Sequence, residues 1–121
     1  MNGYKDSKGR FRPIGKKNNF NRSSIKKVPR KSGVYELFSK DNKLLYVGVS
    51  KKAKYGNLRH RIESYREKDS SSAHPTKKQL RQKVSKFEYE AVPISQARKI
   101  EKQIKGITPF NKDHNIGTWK R

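Results

Sequence analysis

Cysteine is absent from the chain, which excludes a disulfide framework and a thiolate zinc site and leaves oxygen ligands or the three histidines to hold any metal. Apolar residues are sparse, at 30% of the sequence. No run approaches the ~20 apolar residues of a membrane-spanning helix, and the N-terminus lacks the apolar core of a secretory signal. An intracellular protein with no membrane partner is expected. Acidic residues are scarce too, 10 Asp and Glu against 32 Lys and Arg, for a formal charge of +22. That imbalance exceeds what solubility requires and points to a polyanionic partner. Nucleic acid is the leading candidate, because neutralising phosphates and releasing their counterions supplies sequence-independent affinity.

A chain of 121 residues has room for one domain around one modest core. In residues 1–27, Tyr4, Phe11, Ile14, Phe20 and Ile25 follow no helical or strand period among Lys, Arg, Asn, Ser and Gly. The reading is a flexible basic arm. Its aromatic residues are placed to stack on bases while Arg10, Arg12 and Arg22 meet phosphates, or else it is a solubilising tail. Residues 28–112 form the domain, and 113–121 a short C-terminal tail.

Within the domain, Gly33 to Ser39 and Lys43 to Ser50 are rich in β-branched and aromatic residues and flank Lys40-Asp41-Asn42, which predicts a β-hairpin. Asn57 caps a helix whose Leu58, Arg61, Ile62 and Tyr65 share one stripe, with an end near Lys68. A Ser-rich loop leads through His74 to Pro75, which opens a second helix carrying Leu80 and Val84. Phe87 to Val92 alternates as a third strand. Ser95 caps a final helix with Ala97, Ile100, Glu101 and Ile104 inward, stopped by Gly106 and Pro109. The order ββααβα describes an α+β fold, a small three-stranded, mostly antiparallel sheet flanked by helices.

The chemistry starts at the hairpin. If Asp41-Asn42 forms a two-residue turn, Tyr35 lies opposite Gly48 and Leu37 opposite Tyr46, so both phenols leave one face as diagonal neighbours. Gly48 keeps that face open to a phosphodiester. One residue more or less in the turn sends the tyrosines to opposite faces. Two helices add a charge each. Arg61 shares the inward stripe of the first, which is costly unless an anion meets it, and Glu101 shares that of the last. These two pair with each other, snorkel from the edge of the core, or work together. A carboxylate for a hard divalent cation, a guanidinium for the pentavalent phosphate and a hydroxyl for the attacking water are the parts of phosphodiester hydrolysis.

Gly33-Val34-Tyr35 and Tyr46-Val47-Gly48 resemble the paired GIY and YIG motifs of the GIY-YIG nucleases, with Val in place of Ile in both. Asn57-Leu58-x-x-Arg61-Ile62-x-x-Tyr65 is similar to a helix of the bacterial excision-repair member. Ala97-x-x-x-Glu101 and then Pro109-Phe110-Asn111 are similar to the family's metal-binding Glu and closing Asn. The resemblance covers residues 29 to about 112 with the motifs in family order. It implies a metal-dependent endonuclease acting on DNA, with one Mg²⁺ or Mn²⁺ held by Glu101 and no small-molecule cofactor. Arg61 would stabilise the transition state and Tyr35 orient or deprotonate water. Tyr46 would contact the phosphate, and Asn111 would support the site. Tyr65 takes a supporting hydrogen-bond role, and His74 matches a position in homing-type members or is a solvated loop residue.

The excision-repair relatives carry Lys after the YIG glycine, where this chain has Val49. Lys51 or Lys52 is the substitute. The insertion from Lys51 to Gly56, which includes Lys54, either touches the nucleic-acid backbone together with Arg59 or is a lengthened turn. Duplex or branched DNA is the expected substrate, with RNA the other candidate. The rival reading is a non-catalytic RNA- or ribosome-binding protein, for which an acid at position 101 has no use. A toxin-like nuclease differs from this reading in biology and not in chemistry.

Overall fold

The computed structural model describes residues 3–5, 11–54, 56–66 and 75–104. Its centre is the hairpin of β4 (Gly33–Phe38) and β5 (Leu44–Ser50), whose every β4 residue is buried. β6 (Lys86–Ala91) pairs antiparallel with the other side of β4. A fourth strand, β3 (Asn18–Asn19), pairs antiparallel with β6, so the sheet order is β3-β6-β4-β5. The fold is α+β as expected, with four strands in place of three. β1 (Gly3–Lys5) and β2 (Phe11–Pro13) form a separate antiparallel pair.

The extra strand corrects the reading of residues 1–27 as an arm. From residue 14 the chain is built into the domain: Ile14, Ile25 and Val28 are all fully buried. Phe20 N–H donates to Ser85 O at 3.0 Å, and the short helix α1 (Arg22–Ile25) is capped by Asn21, whose side chain accepts from Ser24 N–H at 2.9 Å. The apolar residues look unpatterned because a two-residue strand and a one-turn helix are each too short to show a period.

Two departures in the hairpin cancel. The connection is the three-residue loop Lys40-Asp41-Asn42, with Asn42 at φ 65° and its N–H donating to Ser39 O at 3.0 Å. This is the three-residue geometry in which a left-handed residue closes a turn. Alone it would slip the pairing, but a register shift between Leu37 and Phe38 inserts Leu45 as a bulge. Beyond it Leu37 faces Tyr46 and Tyr35 faces Gly48, the expected partners.

The two faces of the sheet are packed separately. Tyr35, Leu37, Tyr46 and Phe87 face a core completed by Ile25, Val28 and two helices, α2 (Leu58–Ser64) through Leu58 and Ile62 and α3 (Pro75–Lys83) through Leu80. Val34 and Val47 face Ile14 and Ala97, Ile100 and Ile104 of α4 (Ile94–Ile104). α2 ends at Ser64, short of Lys68, with the Ser64 hydroxyl turned back to Arg61 O at 2.6 Å. α4 begins at Ile94, with Ala97 N–H donating to Pro93 O at 2.9 Å, so Ser95 lies in the first turn and is not the cap. Among the described residues no helix is long and apolar enough to cross a membrane.

Opposite the tyrosines, the sheet buries a second polar group. Glu36 on β4 is paired directly with Glu88 on β6, and Glu36 is fully buried. As two carboxylates they offer each other only acceptors, and among the described residues neither Glu36 oxygen has a hydrogen-bond partner. A single proton makes one of them a donor to the other. Burial first, then the hydrogen bond and charge of Glu88, push Glu36 up to about 8, while Lys17 pulls it down. Glu88 is also raised, chiefly by burial.

Candidate active site

The register of the hairpin and the stripe of α2 bring three phenols together. Tyr35, Tyr46 and Tyr65 are all buried, with ring centroids 6.3 Å apart for Tyr35–Tyr46, 6.1 Å for Tyr35–Tyr65 and 6.0 Å for Tyr46–Tyr65. The hydroxyls of Tyr35 and Tyr65 lie 3.2 Å apart, and Tyr65 also hydrogen-bonds Tyr46. Tyr65 thus ties the two hairpin tyrosines together, a more central place than the supporting one expected. Its position at the C-cap of α2 is the signal, since the last turn of a helix capped by Asn57 still points where Leu58 and Ile62 point.

Gly48 is required here, though not to leave the face open. A Cβ at position 48 would come within 2.5 Å of Tyr35 Cζ and Oη, so the space the glycine leaves is taken by the end of the Tyr35 ring. The phenol lies flat across the strand in place of standing above it.

Arg61 and Glu101 converge on the same phenols. The Arg61 guanidinium pulls the ionisation of Tyr35 and Tyr46 down, and the Glu101 carboxylate pushes both up. Each side chain is partly buried. α4 packs on the opposite face from α2, but it lies against β5, the edge strand, so no further strand separates Glu101 from the tyrosine side. Burial is the largest influence on all three phenols and raises them all. Tyr46 and Tyr65 are held well above the ordinary phenol range. Tyr35 is also raised, with Arg61 its chief opposing influence.

Among the described residues no three His, Cys, Asp or Glu side chains group as a metal site. One carboxylate still suits a small hard cation, which keeps several waters and takes substrate phosphate oxygens through one or two carboxylates. Glu101 is the carboxylate whose charge reaches Tyr35 and Tyr46.

Of the remaining expected residues, Lys51, Lys52, Lys54 and Arg59 do not join this cluster. Arg10, His74 and Asn111 lie outside the described residues, and Arg12 is described only as backbone of β2. Lys51, Lys52 and Lys54 are exposed on the segment leading into α2. Arg59 is half-buried, with Nε donating to Val28 O at 2.7 Å, and lines a cavity together with Arg30, Lys54 and His60. Arg30 and His60 were missed by sequence reasoning. His60 carries a signal that goes unread without coordinates, a glycine four residues before it.

Residues 31–113 match the profile of the GIY-YIG catalytic domain, well over half of the chain. The UvrABC system protein C of Borrelia duttonii (strain Ly) is 47% identical over 53 residues, 44% of this chain and 8% of that protein. The protein of the same name from Helicobacter pylori (strain G27) is 49% identical over 43 residues, 36% of this chain and 6% of the relative. That of Campylobacter jejuni subsp. doylei is 44% identical over 43 residues. The chain therefore spans under a tenth of the length of these relatives.

Proposed function

The chain belongs to the GIY-YIG family and is a phosphodiester-cleaving endonuclease; on that premise we propose that it cuts DNA with one divalent cation at Glu101, water oriented by Tyr35 and transition-state charge met by Arg61. The observation that carries the reading is that the hairpin register and α2 gather Tyr35, Tyr46 and Tyr65 into one hydrogen-bonded cluster, with Arg61 and Glu101, from helices on opposite faces of the sheet, near enough to bias Tyr35 and Tyr46 in opposite directions. A pure phosphate binder gains nothing from a carboxylate there, since it repels the ligand.

Mg²⁺ or Mn²⁺ at Glu101 would supply Lewis-acid polarisation of the phosphate. The chain's own groups do the rest. Burial keeps the Tyr35 phenol protonated at neutral pH, so its resting role is to position water by hydrogen bonding. When its O–H is directed to the Tyr65 hydroxyl, Tyr35 Oη keeps a lone pair that accepts a hydrogen bond from the attacking water. Tyr46, held well above the ordinary range, stays a hydrogen-bond donor to a phosphate oxygen. Arg61 opposes charge that grows on the phosphorus oxygens as the fifth bond forms, which is where a fixed guanidinium contributes most. Likeness to the UvrABC system protein C supports DNA as the substrate class.

The test is single-turnover cleavage of a supercoiled plasmid with Mg²⁺ or Mn²⁺, comparing wild type with Glu101→Ala, Arg61→Gln and Tyr35→Phe. Each substitution is expected to slow cleavage by about 10²–10³-fold or more. Wild-type cutting that survives Glu101→Ala sinks the metal role, and a wild type that cuts no DNA substrate sinks the whole assignment.

A further inference from the structure

The cavity on the other flank of α2 is not used by the reaction above. It has a volume of about 320 Å³ and is lined by Arg30, Lys54, Asn57, Arg59, His60 and Glu63. We propose that this cavity is a second phosphate site, which holds a backbone phosphate of the nucleic-acid strand at a distance from the one being cut. The proposal rests on the chain acting on DNA, and its charge and construction argue for it independently of catalysis.

Three of the lining groups are cationic and one is acidic. The acid, Glu63, is engaged by Arg66, whose Nη1 lies 3.0 Å from Glu63 Oε2, so the cavity presents net positive charge. Its volume exceeds the ~30 Å³ share of a single water many times over and accommodates a phosphate with part of its hydration.

The donors are held in place. Arg59 gives its Nε proton to Val28 O at 2.7 Å, which fixes the guanidinium plane and leaves its terminal nitrogens as the fork that matches a phosphate edge. His60 Nδ1 accepts the Gly56 N–H at 2.9 Å, so the ring's donor is Nε2. That contact depends on Gly56 at φ +85°, a backbone conformation that other residues rarely take. Asn57 ties the preceding loop to the helix: its Nδ2 donates to Ala53 O at 2.8 Å and Lys54 O at 3.2 Å, and its Oδ1 accepts His60 N–H at 2.9 Å. The segment before α2, which the sequence leaves open as a contact loop or a lengthened turn, is therefore a stitched wall with Lys54 at its rim.

Placement relative to the tyrosines follows from helix geometry. At 100° per residue, Arg59 and Glu63 fall on the flank of α2 away from Arg61, with the buried stripe of Leu58, Ile62 and Tyr65 between, and exposed His60 beside them on the solvent side of the helix. A helix with its side chains is about 10–12 Å across, so one strand passing over α2 can present phosphates to both flanks.

The experiment measures binding of a fluorescent DNA duplex by anisotropy across a salt series, without divalent metal. Arg30→Gln/Lys54→Gln is compared with wild type and with the charge-matched control Lys40→Gln/Lys43→Gln at the hairpin turn. Loss of one phosphate contact makes the slope of log affinity against log salt less negative by about 0.9, and the pocket variant is expected to show that change while the control shows a smaller one. In cleavage assays its loss should fall on KM far more than on kcat. A slope equal to wild type, or equal to the control, overturns the proposal. The ¹⁵N resonances of the His60 ring serve as a second readout: a response to inorganic phosphate with none to the duplex means that the cavity takes free anions and the strand assignment fails. Absence of cleavage by wild type with the slope change intact would strike the catalytic reading alone.

Discussion

The two faces of the sheet bury polar groups by opposite means. On the α2 side three phenols hydrogen-bond one another through Tyr65 and need no proton from solvent. On the α4 side Glu36 and Glu88 have no donor between them unless one is protonated. Neutral hydroxyls can be both donor and acceptor, so a closed cluster of them is satisfied at any ordinary pH, whereas paired carboxyls are satisfied only while they hold a proton. The first arrangement keeps a reactive face fixed. The second makes stability depend on pH without touching the chemistry.

The sharpest way to break the comparison is to disturb the phenol face at its tightest contact. Gly48→Val puts a side chain where Tyr35 Cζ and Oη now lie, 2.5 Å from the new Cβ. Cleavage should fall about 100-fold from misplacement alone, read by single-turnover kinetics, with a destabilisation of about 1–3 kcal/mol from overpacking. If Gly48→Val cuts normally, the position of the Tyr35 ring is irrelevant to the reaction.

A smaller effect tests the link between phenols. Tyr65→Phe removes the hydroxyl that holds both Tyr35 and Tyr46, and should cost about 1–3 kcal/mol in urea unfolding and about 10-fold in cleavage. Combined with Tyr35→Phe, the stability losses should be clearly less than additive. Strict additivity would mean that the cluster is three separate packing contacts.

The carboxyl face supplies the mildest effect, and its sign is opposite. Glu36 is held at about 8 in the folded chain, above its ordinary value. Between roughly pH 4.3, where an unfolded Glu releases its proton, and pH 8, folding must take a proton up. The contribution of this pair is therefore complete below that window and is lost as pH rises through it. Glu36→Gln should raise Tm at pH 8.5 by about 4 °C or more, the shift that ~1 kcal/mol produces in a domain of this size, and leave Tm at pH 4 unchanged. Calorimetry at the two pH values decides it. An equal shift at both would show that proton uptake has no part.

Much of this was legible from residue order alone. The hairpin, the stripe of α2 and the inward face of α4 follow from periods of two and 3.6 carried by long enough segments, and so does the α+β class. Residues 14–28 were not legible, because β3 and α1 are too short to carry a period and are held by contacts with Ser85 and the core. The tyrosine register was reached with the wrong turn length, and only the bulge at Leu45 restored it. Glu36 opposite Glu88 was equally hidden, since strand order is a non-local pairing.

Sequence by itself determined which residue types were at hand: two tyrosines in a hairpin, an arginine and an acid on the inward stripes of two helices, and an excess of cations. Only the tertiary structure decided that Arg61 and Glu101 act on the same phenols, and that the loop before α2 closes a cationic cavity beside them. Local pattern specifies a face of an element. Which faces meet depends on sheet order and on β5 being an edge, and those are settled by packing between distant segments.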